Sequence, residues 1–253
     1  MAEVEPETPE ELESCPFCEG REDRTPPEVL ALPAGDRSPD TPGWRVRVVP
    51  NLYPAFERQE VVIHSPRHVR SFADLTDEEI DLVAEVWGTR TSGEGPSYVH
   101  PLINEGRAAG ASLPHSHSQL VWLPEPPPAI AAERPEVVTE LLSAATEQRL
   151  VVAEGDGVTG FCHPVGRLPY ETLIVPEGDA TLAAALRLLR ELVARLRKAE
   201  GAVPWNAWLH HDNTGWHIEL LPRLSVLAGL ELGAGIYVNS VPPEQAAENL
   251  RAG

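Results

Sequence analysis

The sequence predicts an α+β protein in which one structural unit occurs twice. Three observations carry that expectation. Strand, helix, strand, loop and strand can be read in that order over residues 61–123, and again over residues 170–221. In both passes an apolar strand runs into a proline ahead of the helix: Val61-Val62-Ile63 before Pro66, and Leu173-Ile174-Val175 before Pro176. Between them lies the proline cluster Pro124 to Pro128, which divides the chain into residues 1–128 and 129–253.

Residues 1–43 hold an acidic stretch from Glu3 to Glu13, the pair Cys15-Pro-Phe-Cys18 and a proline-rich connector without periodicity. A frayed tail and order that depends on a metal are expected there. Trp44 to Val49 alternates apolar and basic residues and reads as a half-buried strand ended by Pro50, with Asn51 to Ala55 as a turn. Val61 to Ile63 is a buried strand. Thr76-Asp-Glu-Glu79 is a capping box that starts a helix with Ile80, Val83, Ala84 and Trp87 on its apolar face. Tyr98 to Asn104 then reads as a strand, Glu105 to Ser112 as a Gly/Ala loop, and His115 to Gln119 with Leu120 to Leu123 as the next strand.

In the second pass the strands are Arg149 to Ala153, Thr159 to His163 and Tyr170 to Pro176. Leu182, Leu186, Leu189, Val193 and Leu196 form the stripe of a helix stopped by Gly201, with Arg187, Arg190, Arg197 and Lys198 mostly on the other side. Trp205 to His210 and Trp216 to Leu221 are strands joined by the turn-like Asp212 to Gly215.

The bulk numbers exclude some functions. A chain of 253 residues with a formal charge of -19 has no basic stripe for a phosphate backbone, so no nucleic-acid partner is expected. It has no apolar run of membrane-spanning length and no basic, apolar leader, so no membrane partner and a cytoplasmic location are expected. Three cysteines give no even disulfide framework, and Cys162, in an apolar stretch, reads as core.

The chemistry concentrates near residue 115. In an extended segment His115, His117 and Gln119 share one face. Cys15 and Cys18 supply two thiolates, while tetrahedral zinc needs two more ligands and no second Cys pair exists. His68 and His115 are the best choices, giving Cys15, Cys18, His68 and His115 as a zinc site; without metal the pair would be redox-active or structural. His117 is the candidate nucleophile, because a neutral imidazole attacks phosphorus without prior deprotonation once its other nitrogen donates to a carbonyl. Asn104, Gly106, Gly110 and Ser112 offer donors for a phosphate gaining charge. Gln119 can donate to a phosphate oxygen but cannot act as acid or base, which favours transfer over hydrolysis. The second pass carries His217-Ile-Glu219 and no His-x-His-x-Gln, so one nucleophile per chain is expected. His64, His100, His163, His210 and His211 read as structural or surface histidines.

These residues resemble the galactose-1-phosphate uridylyltransferases, the transferase branch of the histidine triad superfamily. The likeness rests on Asn104, Gly110-Ala-Ser112 and His115-x-His117-x-Gln119, with Cys15-Pro-Phe-Cys18, Asn51-Leu-Tyr-Pro-Ala55, Ser65-Pro-Arg-His68, Pro169 to Pro176, Trp216 to Arg223 and Gly229-Leu-Glu231. It implies two tandem histidine-triad-like domains, each an antiparallel sheet with a packed helix, the second contributing to the sugar phosphate site. It also implies zinc on the four residues above, a covalent nucleotidyl intermediate on His117 stabilised by Gln119, and phosphate contacts from Asn104, Gly110 and Ser112. Asn51 would lie by the base or ribose, and Glu231 would bind sugar hydroxyls, reaching across a homodimer. The implied partners are a nucleoside diphosphate sugar and a sugar 1-phosphate, in a reaction of the UDP-glucose:hexose-1-phosphate uridylyltransferase type.

Relatives with the same His-x-His-x-Gln use adenine nucleotides, as ADP-glucose phosphorylase and diadenosine tetraphosphate phosphorylase do, so a phosphorylase or hydrolase on the same site is the second reading. A non-catalytic zinc-containing binding protein is the third. The chain departs from the family in having His-Ser-His-Ser-Gln for the typical His-Pro-His-Gly-Gln, and Leu230 where an aromatic is usual. His217 and Glu219 match two ligands of a second metal site found in some relatives, and two ligands alone assign no such site.

Overall fold

The computed structural model describes residues 8–93, 98–134, 136–212 and 215–253. The first half supplies β1 (Leu30–Leu32), β2 (Val46–Pro50), β3 (Gln59–Ile63), β4 (Tyr98–Glu105) and β5 (His117–Leu123). The second supplies β6 (Val151–Gly155), β7 (Val158–Cys162), β8 (Thr172–Pro176), β9 (Trp205–His211) and β10 (Trp216–Pro222). All ten lie in one sheet of order β1-β2-β3-β5-β4-β9-β10-β8-β7-β6, with antiparallel ladders throughout. Outward from the β4–β9 seam the two arms repeat one order, β4-β5-β3-β2-β1 and β9-β10-β8-β7-β6. The repeat expected from sequence is present, and its two sheets are fused edge to edge. The seam pairs Leu102 with Trp208, Ile103 with Ala207, Asn104 with Asn206 and Glu105 with Trp205.

The helices are α1 (Pro9–Ser14), α2 (Asp77–Thr91), α3 (Pro128–Ala131), α4 (Val137–Glu147), α5 (Leu182–Glu200), α6 (Gly229–Ala234) and α7 (Pro243–Ala252). α2 begins at the expected capping box: the Glu79 amide donates to the Thr76 hydroxyl (3.2 Å), and the Thr76 amide donates to the Glu79 carboxylate (2.8 Å). Its expected apolar face is buried, with Ile80, Val83 and Trp87 at 0 % exposure; each contributes about 1.5–3 kcal/mol of burial. α5 starts on Thr181, whose hydroxyl accepts from the Ala184 amide (3.2 Å), and stops at Gly201, where φ is +87°. The two helices lie side by side against the sheet. The arginines of α5 meet the other half: Arg187 pairs with Asp81, Arg190 with Asp77 (2.6 Å) and Arg197 with Asp74 (2.8 Å).

Two expectations need correction, and two helices come in addition. Part of the acidic tail is helix α1, capped by Thr8, and its Glu11 carboxylate holds His68 (2.9 Å) and Arg70 (3.2 Å). Strand β2 is buried on both faces, because Arg47, 1 % exposed, meets Glu28 (2.9 Å), Asp40 (2.5 Å) and the Thr25 hydroxyl (2.7 Å) inside the fold. Helices α4 and α7 were not read from the sequence, although Val138, Leu141, Leu142 and Ala145 on α4 keep helical spacing. Residues 1–7, and Asn213 and Thr214 of the expected 212–215 turn, lie outside the described residues.

Candidate active site

The short α1 and the turn at Cys15-Pro-Phe-Cys18 bring two sulfurs against two imidazoles. Cys15 Sγ is 3.4 Å from His115 Nδ1, and Cys18 Sγ is 3.4 Å from His68 Nδ1 and 3.9 Å from His115 Nδ1. One donor atom from each of Cys15, Cys18, His68 and His115 lies within 4.8 Å of all the others. Tetrahedral zinc with thiolate and imidazole ligands sets neighbouring donors about 3.5 Å apart, so the cluster is compatible with zinc. The outer nitrogens are oriented as metal-ligating histidines require: His115 Nε2 meets the Ser65 carbonyl (3.0 Å) and His68 Nε2 the Glu11 carboxylate (2.9 Å). Burial pushes His115 down to about 4, so its imidazole is neutral.

Strand β5 starts at His117, not at His115. The backbone before it is held from outside the ladder, with Ser116 N donating to Val69 O (2.6 Å) and His64 N to Ser116 O (3.2 Å). His115 therefore turns to the cysteines, and the single-face alignment expected from strict alternation ends at His117. His117 Nδ1 donates to the His115 carbonyl (2.6 Å), which leaves the lone pair on Nε2. Burial lowers the His117 pKa, and that hydrogen bond opposes the shift only in part. Phe17, inside the Cys-x-x-Cys turn, packs edge-on against both rings, 5.9 Å from His115 and 5.4 Å from His117. Sequence reading gave Phe17 no role.

His64 accounts for the two serines of the motif. Fully buried, it meets Ser116 Oγ (3.0 Å) and Ser118 Oγ (2.9 Å), and Trp87 Nε1 donates to Ser118 Oγ (3.0 Å).

His117 lines a cavity of about 320 Å³ together with Asn104, Ser112, Arg70 and Arg107. Gly106 (φ +84°) and Gly110 (φ +96°) bend the loop round a short 3-10 turn, Arg107–Ala109, in conformations that suit glycine. Two arginines thus bring local positive charge to a strongly acidic chain, a feature the overall charge conceals. Gly110 packs against the Asn104 amide without lining the cavity. Gln119 also lies off the cavity wall, its Oε1 accepting from Gln59 Nε2 (2.5 Å). Asn51 forms an Asx turn to the Tyr53 amide (2.9 Å), and Glu231 caps its own short helix through the Ala228 amide (2.9 Å); neither lines the cavity.

A second cluster lies in the other arm. Glu133, His210, His217 and Glu219 bring four ligand atoms within 4.8 Å of one another. Burial alone would raise Glu219, but the His217 hydrogen bond and the charges of His210 and Arg167 hold it at about 2. The cluster adds two residues, Glu133 and His210, to the pair visible in the sequence. The signal for them is tertiary: β9–β10 register sets His210 opposite His217, and the segment after α3 carries Glu133 in.

Comparisons with known proteins give sequence and fold neighbours. A sequence profile for galactose-1-phosphate uridyl transferase, N-terminal domain, matches residues 54–126. The chain is 28% identical over 290 aligned residues to an ADP-glucose phosphorylase of Arabidopsis thaliana, covering 94% of this chain and 81% of that one. It is 25% identical to a galactose-1-phosphate uridylyltransferase of Thermotoga maritima, covering 76% of this chain and 73% of that one. The crystal structure of the Arabidopsis thaliana ADP-glucose phosphorylase with bound ADP-glucose superposes with a TM-score of 0.81 at 27% identity, over 94% of this chain and 90% of that one. In sequence, in the duplicated antiparallel fold and in the enzymes it matches, the chain is similar to the galactose-1-phosphate uridylyltransferase family.

Proposed function

We propose that the chain transfers a nucleoside monophosphate from a nucleoside diphosphate hexose to a second phosphate-bearing acceptor through a covalent adduct on His117. The observation that carries this reading is His117 itself: Nδ1 donates to a carbonyl at 2.6 Å, burial favours the neutral ring, and the side chain lines a cavity with Asn104, Ser112 and two arginines. Nε2 attacks the α-phosphorus, the N–P bond forms as the bond to the leaving hexose 1-phosphate breaks, and Asn104, Ser112 and the loop around Gly110 bear the charge gained. An acceptor phosphate oxygen then displaces His117 and restores the free imidazole. Gln119, off the cavity wall, would reach the bound phosphate with its amide nitrogen, its oxygen being engaged by Gln59. A zinc ion on Cys15, Cys18, His68 and His115 would hold the His115–Ser116 backbone, whose carbonyl orients the nucleophile.

In the uridylyltransferase form the donor is UDP-glucose and the acceptor a hexose 1-phosphate, with Asn51 by the nucleoside and Glu231 on the sugar across a homodimer. The 28% identity to an ADP-glucose phosphorylase over 94% of the chain favours a second form, in which ADP-glucose is the donor and inorganic phosphate the acceptor. We take residues 1–128 as the unit that carries zinc and nucleophile, and 129–253 as the unit that completes the sugar phosphate site.

Intact-mass measurement after incubation with UDP-glucose and, separately, ADP-glucose tests the reading. One nucleoside monophosphate should be added, absent in His117→Ala, and released by hexose 1-phosphate or by inorganic phosphate according to the form. No adduct from any donor in the panel overturns it and favours the zinc-containing binding protein.

A further inference from the structure

We propose that Asn206, on β9 in the opposite arm, is a positioning residue that fixes Asn104 as a hydrogen-bond donor toward the His117 cavity; the proposal rests on the nucleotidyl-transfer reading. Asn206 Nδ2 donates to the Ala109 carbonyl at 2.8 Å and to Asn104 Oδ1 at 2.7 Å. A backbone carbonyl can only accept, so the nitrogen end of the Asn206 amide must face it. From the other side Arg223 Nη1 donates to Asn206 Oδ1 (3.4 Å), and a guanidinium can only donate. Both ends of the Asn206 amide are thereby assigned.

The assignment passes to Asn104. Its Oδ1 is taken by Asn206, which leaves Nδ2 on the side of the phosphate loop, 3.7 Å from where a Cβ at Gly110 would sit. Asn104 thus presents a donor, not an acceptor, where an anionic phosphate gains charge. Asn206 also pins the loop through Ala109, the last residue of the 3-10 turn. A second contact supports the clamp: Gly106 lies so close to Pro204 that a Cβ there would come within 2.9 Å of the proline ring. Pro204 is tied in turn to Arg223, whose amide donates to its carbonyl (2.7 Å). The seam between the arms therefore sets the polarity of the phosphate site, although Asn206 itself is not part of the cavity wall.

The test compares Asn206→Asp with Asn206→Ala. Asp is isosteric but offers two acceptors, so Asn104 must reverse its amide and turn Oδ1 to the cavity. Asp should slow adduct formation on His117 by roughly 10²-fold and Ala by about tenfold, with a similar small drop in melting temperature for both and bound metal unchanged. In an Asn104→Ala background the excess cost of Asn206→Asp over Asn206→Ala should disappear, because that excess acts through Asn104, leaving only the shared loss of the Ala109 contact. Asp milder than Ala, as for a space-filling residue, or an Asp effect that persists undiminished without Asn104, as for a bare charge effect, would overturn the proposal. Arg223→Met, which frees the Asn206 amide to turn, is the second variant; its loss should be a few-fold and should also vanish in Asn104→Ala. Calorimetric binding of AMP and UMP reads the same site without turnover, and Asn206→Asp should weaken it roughly tenfold. A parent chain that forms the adduct or binds a mononucleotide, yet is indifferent to Asn206, overturns this proposal alone. A parent that does neither overturns the transfer reading and this proposal with it.

Discussion

Strand β5 and strand β10 occupy the same place in their arms, and each carries near its start a histidine followed two residues on by a side-chain carbonyl group: His117, the first residue of β5, and Gln119; His217, the second of β10, and Glu219. What surrounds them differs. In the first arm the connection from β4 spans residues 106–116 and bends round the cavity with glycines, arginines and an asparagine. In the second the connection from β9 is only 212–215, and His217 faces Glu219 (3.7 Å) and Glu133 (4.0 Å). Strand geometry places an imidazole in both arms. The length of the preceding loop decides whether it meets donors suited to a phosphate or carboxylates that would repel one.

The comparison breaks most sharply at the two histidines. His117→Ala should remove adduct formation by roughly 10³-fold or more, whereas His217→Ala should leave it within a few-fold; equal losses in stopped-assay rates would mean that the arms do not divide the work as described. Next in size is metal removal. Chelation, or Cys15→Ser, should lower the melting temperature and loosen the first arm, and metal analysis of the purified chain should find zinc; a value near zero refutes the assignment.

A smaller effect compares the helix starts. Glu79 is 2 % exposed and accepts from Ser65, Thr76 and Arg67, while α5 has only the Thr181 cap, so Glu79→Ala should cost about 3 kcal/mol and Thr181→Ala about 1 kcal/mol in denaturant unfolding. The Glu79 carboxyl is held below its usual 4.5, because its hydrogen bonds and Arg67 outweigh burial, which acts to raise it. Its stabilisation is complete above about 4.5 and is lost as pH falls through the folded value, so melts of wild type and Glu79→Gln should converge on acidification. Smallest is Arg197→Ala, which removes an exposed pair with Asp74 and should cost under about 1 kcal/mol.

Much of this was legible in the sequence, for local reasons. The Thr76 box, the α5 stripe and the grouping of Cys15, Cys18, His68 and His115 depend on spacing or on ligand counting, and each residue type names its own chemistry. Asn51 and Glu231 rest on resemblance alone, Gly110 and Gln119 on residue chemistry as well, and none of the four lines the cavity in this chain. Phe17, Arg70, Arg107 and Asn206 were missed because their relevance comes from long-range register and packing, which periodicity does not encode. His64 reads from sequence only as a structural or surface histidine, since its two serine partners, Ser118 on β5 and Ser116 just before it, lie more than fifty residues away in the chain. Glu133 and His210 were invisible for the same reason as Asn206.

The β4–β9 seam bears on how the protein could be cut. A break near residue 128 would leave both strands as bare central edges, each with an unpaired backbone row where four residue pairs now close the ladder. Neither half expressed alone should stay monomeric; each would recruit a second copy of itself or of its missing partner along that edge. Mixing the two fragments offers a direct route to reassembling the whole from its parts.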